Sequence, residues 1–177
     1  TDESTVKALK NIRLLTTALN IPGPVAAARL QQLGAMVTKI EPPAGDATRR
    51  LRGFGSGYFA FYSRNKKSLA VNLKADEGKR IVMDLVKTAD VVVENFKPGV
   101  MKVLGYDYDS LKAINPALVY ASISGYGQYG PNSDRPSYDL CIQAECGLMS
   151  MNGHPGNNPC RIGNSITDYM SGVLAVV

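Results

Sequence analysis

Apolar positions along this chain fall into short blocks whose spacing alternates between strand-like and helix-like periods. Ile12-Arg13-Leu14-Leu15 reads as a strand that passes through Asn20-Ile21-Pro22-Gly23-Pro24 into an amphipathic helix, Val25 to Leu33, closed by Gly34. Proline near the helix start and glycine just past its end match the usual asymmetry of helix termini. Ala35 to Ile40 is a second strand, and a helical crossover makes the two strands parallel with a right-handed connection. Ser68 to Leu73 reads as a third strand. Asp76 to Thr88 then reads as a helix with Ile81, Val82, Leu85 and Val86 on one face. Val91-Val92-Val93 is a continuous apolar run, the mark of a strand buried on both sides of a parallel sheet. A helix of about two turns from Gly99, another over Tyr108 to Ile114, and a strand from Leu118 to Ile123 complete the alternation. The prediction is an α/β fold: a Rossmann-like open parallel sheet with helices on both faces.

Two stretches break the alternation. Glu41 to Gly57 is a loop rich in Pro, Gly and Arg, and Ser124 to Pro136 is a second long loop. Loops of that length inside compact domains are usually functional or disordered. Tyr138 to Ser150 reads as a helix, Met151 to Pro159 as a Gly/Asn/Pro loop, and Thr167 onward as a helix still running at Val177. The chain therefore reads as one domain over residues 1–177, truncated within that last helix.

With 177 residues, 45% hydrophobic and 20% charged, the chain has the composition of an ordinary soluble globular domain with one sizeable core. No apolar run approaches the roughly 20 residues of a membrane span, and no signal-peptide layout opens the chain. Three cysteines, Cys141, Cys146 and Cys160, lack zinc or C-x-x-C spacing and read as buried or free thiols in a reducing cytoplasm. No metal site is expected. A net charge of +5 favours anionic partners. The basic residues are dispersed and no zinc-finger spacing or RNP-like motif occurs, so nucleic acid is a weak candidate, and a phosphate-bearing small molecule fits the charge equally well.

Several residues have the chemistry of a site. Pro22-Gly23-Pro24 joins a strand to a helix, where doubly wound folds place ligands, but it is neither G-x-G-x-x-G nor a P-loop. Asn65-Lys66-Lys67-Ser68 reads as a solvated charge run or as a cationic approach to a ligand. Asn95 and Phe96, with Lys97 beside them, lie at the C-terminal end of a buried strand and suit a nucleotide. His154, the only histidine, sits in a surface-type loop, which disfavours a Ser-His-Asp arrangement. Asp168 is the only acid between Cys146 and Val177, among small neutral neighbours with little competing charge. It suits a helix cap or a nucleophile.

These pieces, in this order, resemble the family III CoA-transferases, a group that includes formyl-CoA and carnitine CoA-transferases, with acyl-CoA racemases as relatives. The resemblance runs from Leu9 to Gly172. It rests on Gly23-Pro24, the stretch Leu33 to Asp46, Asn65-Lys66-Lys67-Ser68, Ala89 to Gly99, Ser122 to Gly127, Ser137-Tyr138-Asp139, and Thr167 to Gly172. It implies transfer of CoA between an acyl-CoA thioester and a free carboxylic acid. Asp168 takes the place of the family's nucleophile, ionised at a helix N-terminus, and works through aspartyl anhydride and aspartyl-CoA thioester intermediates. Backbone N–H groups near glycines serve the tetrahedral oxyanions.

By the same resemblance, Tyr138 lies in the active site and Ile21, Val71, Lys74, Asn95 and Phe96 belong to the CoA site. Coenzyme A is substrate, with no permanently bound cofactor. Tyr138, a tyrosine where racemases carry histidine, favours transfer over epimerisation, since tyrosine is a poor base near neutrality. Racemase chemistry and a non-catalytic CoA-binding fragment are the alternatives. The chain departs from the family at Thr16, Ile21 (a glutamine in formyl-CoA transferase) and Val103. The resemblance further implies a cytoplasmic, interlocked homodimer, with a second α/β domain and a glycine-rich flap not found in these residues.

Overall fold

A computed structural model describes residues 7–177. Its strands are β1 (Arg13–Thr16), β2 (Met36–Glu41), β3 (Lys67–Ala70), β4 (Val91–Glu94) and β5 (Val119–Ser122). They form one sheet in the order β3-β2-β1-β4-β5, with every pairing parallel. The chain thus builds outward from β1 to β3, then returns to the other side of β1 to place β4. That reversal leaves a crevice at the C-terminal ends of β1 and β4, where open α/β sheets bind ligands.

Adjacent residues on the central strands are buried on opposite faces, as parallel strands covered on both sides require. Leu15 and Val92 join Val82 and Val86 of α3 (Asp76–Val86), Met101 of α4 (Val100–Leu104) and Leu111 of α5 (Tyr108–Lys112) in one core. Leu14, Val37 and Val93 pack with Ala26 and Ala27 of α1 (Pro22–Gln32) in the other. The expected apolar face of α3 is only partly inside: Val82 and Val86 are buried, whereas Ile81 is 47% exposed.

Other elements differ from the sequence reading in their bounds or were not foreseen by it. Helix α1 starts at Pro22 and not Val25, because Pro22 and Pro24 occupy a first turn whose N–H groups have no intrahelical partner anyway. A short helix, α2 (Tyr58–Tyr62), precedes β3 unannounced by any periodicity. The expected helix from Tyr138 is α6 (Asp139–Glu145), with Tyr138 extended as its N-cap and Gly147, at φ +83°, separating it from a 3₁₀ turn at Leu148–Met151. The last helix is α7 (Ile166–Leu174). The three cysteines are free, as expected, but exposed and not buried. No helix among the described residues is long and apolar enough to cross a membrane.

Helices α1 and α7 lie side by side, and Gly172 is the reason they can. A Cβ there would stand 2.4 Å from the Pro22 carbonyl oxygen and 2.8 Å from Val25 Cβ. Close approach at Gly172, near the C-terminal end of α7, sets that helix against the start of α1, beside the crevice.

Candidate functional site

The crevice is organised by Asn95, which follows β4. Its Oδ1 accepts from Leu19 N (2.8 Å) and its Nδ2 donates to Leu19 O (2.9 Å), tying the end of β4 to the turn after β1. Gly23 belongs to the same junction, since a Cβ there would collide with Ala18 Cβ at 2.1 Å. Two cavities flank this tie. The smaller, about 100 Å³, is lined by Asn95, Ser124, Tyr138, Thr167, Asp168 and Ser171. The larger, about 310 Å³, is bounded by Thr17, Leu19, Val71, Lys74, Phe96 and Leu104.

Asp168 is the third residue of α7, and Ser165 is the N-cap, making no capping bond with its own side chain. The helix start is capped from elsewhere. Asp139 Oδ1 accepts from Thr167 N (2.8 Å), Thr167 Oγ1 (2.6 Å) and Asp168 N (3.3 Å), while its Oδ2 accepts from Gln143 Nε2 (2.6 Å). Gln143, 1% exposed, also donates to Asn164 O and accepts from Ile162 N, which fixes the segment leading into α7. One turn of α6 therefore clamps the approach to Asp168. Burial, and then the neighbouring Asp139 charge, push the Asp168 carboxyl up to about 6. This corrects the expectation of a carboxylate with little competing charge. It is still mostly ionised at neutral pH, though near its midpoint.

The walls of the larger cavity are held by buried charges that the sequence did not single out. Glu41 receives Arg49 through both side-chain oxygens (2.6 and 2.9 Å), and accepts from Ser68 Oγ and Asp46 N. Arg49, against the opposing effect of burial, holds the Glu41 carboxyl down at about 2. Lys39 Nζ pairs with Asp46 Oδ2 at 2.6 Å and donates to Ala18 O, linking the loop after β2 to the turn after β1. Burial raises the Asp46 carboxyl, and Lys39 with Thr48 more than reverses this, leaving it low. Thr17, also buried, has a hydroxyl without a hydrogen-bond partner among the described residues, and it lines the cavity. A buried orphan hydroxyl is costly in an empty protein and useful where a polar ligand enters.

The structure brings most of the sequence-predicted residues to this crevice. Asp168, Tyr138 and Asn95 line the smaller cavity; Val71, Lys74 and Phe96 line the larger. Ile21 lines neither. It is buried as the N-cap residue of α1, and Thr17 and Leu19 face the larger cavity in its stead. Of the other departures, Thr16 is buried, accepting from Ala18 N, whereas Val103 is 89% exposed. Lys66 is not solvated: its Nζ donates to Pro24 O (2.9 Å) and Tyr62 O (2.6 Å), and burial with repulsion from Lys39 lowers it to about 7. His154 lies in an exposed turn. A larger hollow of about 700 Å³ beside β5 contains none of the predicted site residues. Asp139, Gln143 and Thr17 were missed. The i, i+4 pairing of Asp139 and Gln143 was the one available signal for two of them.

A five-stranded doubly wound sheet, with a half-buried carboxylate beside its topological switch point, defines an α/β protein with a ligand crevice at the strand ends. The model of CoA-transferase family III matches residues 9–177, and the chain belongs to that family. It is 46% identical over 165 residues to an acetyl-CoA:oxalate CoA-transferase of Acetobacter aceti, covering 90% of this chain and 42% of that protein. It is 40% identical over 179 residues to the human succinyl-CoA:glutarate CoA-transferase, covering 98% of this chain and 41% of that one. Among solved structures, a CaiB/BaiF family protein from Brucella suis superposes with a TM-score of 0.91 at 38% identity, over 97% of this chain and 48% of that chain. The chain thus spans about two fifths of these curated relatives and about half of the solved structure.

Proposed function

We propose that this chain is the CoA-binding, nucleophile-bearing part of an enzyme that moves CoA between an acyl-CoA thioester and a free carboxylic acid. The observation that carries the reading is the state of Asp168. Its carboxyl lines a cavity, half-buried, while the helix end it was positioned to cap is capped by Asp139. A carboxylate relieved of structural duty and destabilised by burial has the properties of a nucleophile.

In the proposed sequence an Asp168 oxygen attacks the thioester carbonyl carbon, the C–S bond breaks, and CoA leaves as thiolate. The product is a mixed anhydride. The thiolate then attacks the aspartyl carbonyl carbon, releasing the donor acid as carboxylate and leaving an aspartyl-CoA thioester. The acceptor carboxylate attacks that carbon in turn, forming a second anhydride and expelling thiolate again. Thiolate attack on the acceptor's acyl carbon yields the new acyl-CoA and regenerates Asp168. The larger cavity, with Lys74, Phe96, Val71 and the Thr17 hydroxyl on its walls, is assigned to CoA. Tyr138 orients the acyl group at the smaller one. Tyr138, a poor base near neutrality, lines that cavity, which favours transfer over epimerisation.

Mass spectrometry after incubation with a panel of acyl-CoA esters tests the reading: a CoA-sized adduct on Asp168 is expected. Asp168→Ala is expected to abolish exchange between acyl-CoA and a labelled acid while CoA binding stays nearly intact. Exchange that survives the substitution rules the assignment out.

A further inference from the structure

Resting on the reading of Asp168 as nucleophile, we infer that Asp139 is a positioning residue, whose carboxylate anchors the first turn of α7 so that Asp168 faces the smaller cavity. Three donors from Thr167 and Asp168 converge on one oxygen of Asp139 across 28 residues of sequence, and Gln143 holds the other oxygen. The clamp reaches the backbone N–H of the nucleophile itself. Rotation of the first turn of α7 would break all three bonds to Asp139 Oδ1.

The choice of residue says more. A helix end needs only an acceptor, and serine or asparagine serves it as well as aspartate without placing a like charge beside Asp168. Ser165 occupies the cap position and is not used. A carboxylate at 139 couples two effects: it locks the helix start, and it disfavours the buried negative charge of Asp168, keeping that carboxylate basic and ready to attack. The other groups around Asp168 do not supply this. Tyr62 of α2 and Tyr138 are phenols, Asn95 and Pro22 are neutral, and Ser124 and Ser171 are hydroxyls. Arg29 of α1 is engaged with Tyr169 Oη (2.6 Å) and Gln32 Oε1 (3.0 Å), and Lys66 with two backbone carbonyls.

Asp139→Asn keeps an oxygen for the α7 amides but removes the charge; Asp139→Ala removes both. In Asp139→Asn the acid limb of the exchange rate is expected to move down by about one pH unit. Its kcat is expected to fall about tenfold at little changed KM for acyl-CoA, and that of Asp139→Ala about a hundredfold. Unchanged kcat and acid limb in the asparagine variant, with only thermal stability lowered, overturns the inference. Should neither variant fold, hydrogen exchange in the unaltered protein decides: protected Thr167 and Asp168 amides are expected, and open-chain exchange rates there overturn it. A missing Asp168 adduct in the unaltered protein removes the nucleophile reading and this inference together. An adduct with normal Asp139→Asn kinetics removes the inference alone.

Discussion

Asp168 is held at a cost. Its folded carboxyl sits at about 6 against an ordinary 3.8, so between those values the folded state binds more protons than the unfolded one. Its contribution to stability is therefore complete below about pH 3.8, declines as pH rises through 6, and is fully lost at pH 7. Asp168→Asn is expected to stabilise the protein at pH 7.5 by about 1–2 kcal/mol, allowing for solvent screening, with the gain vanishing near pH 3.5. Urea melts at the two pH values check this. A cap residue would show the opposite sign, a loss of about 0.5–2 kcal/mol. Thr17→Val is the companion test on the larger cavity. It removes an orphan hydroxyl, so unfolding midpoints should hold steady or rise while CoA affinity, measured by calorimetry, drops about fivefold to tenfold.

At the level of elements, the site depends on how closely α7 approaches α1. Gly172→Val would drive a side chain into the Pro22 carbonyl and Val25, and α7 must shift to relieve it. A cost of about 1–3 kcal/mol in chemical denaturation is expected from such overpacking. Exchange activity should fall by a larger factor than stability alone explains, since the displaced helix carries Asp168. The loop after β2 has its own vulnerability. Glu41 is depressed from 4.5 to about 2, so the stability it contributes is present above pH 4.5 and is lost as pH falls towards 2. Arg49→Met should weaken that acid dependence, leaving the part due to Ser68 Oγ and the Asp46 N–H, and CoA affinity should fall with it because Glu41 walls the cavity.

Across the whole molecule, the assigned CoA cavity draws its walls from well-separated parts of the chain, from Thr17 and Leu19 to Phe96 and Leu104. The 177 residues are expected to bind CoA, with affinity falling as salt rises because a polyanionic nucleotide meets a +5 chain. Tyr138, which lines the smaller cavity, is 78% exposed. Met170 and Leu174 also show apolar surface along α7. Under the proposed function, surface from outside this chain covers that cavity, so exchange by the 177 residues alone is expected to be weak.

Periodicity and turn chemistry made the parallel sheet legible, because hydrophobic spacing and Gly/Pro punctuation are local properties of the chain. Motif order similarly put Asp168, Tyr138, Asn95, Val71, Lys74 and Phe96 within one expected site. The start of α1 and the existence of α2 were hidden, since prolines in a first turn and a five-residue aromatic helix leave no periodic trace. What only the folded chain decided is who faces whom. Asp139 meets Thr167 of α7, 28 positions further along the chain, Ile21 turns into the core, and Lys66 finds two carbonyls where a solvated run was expected. Charges and hydrogen bonds act through space, so the environment that destabilises the Asp168 charge was assembled by packing and is written in no segment of the sequence.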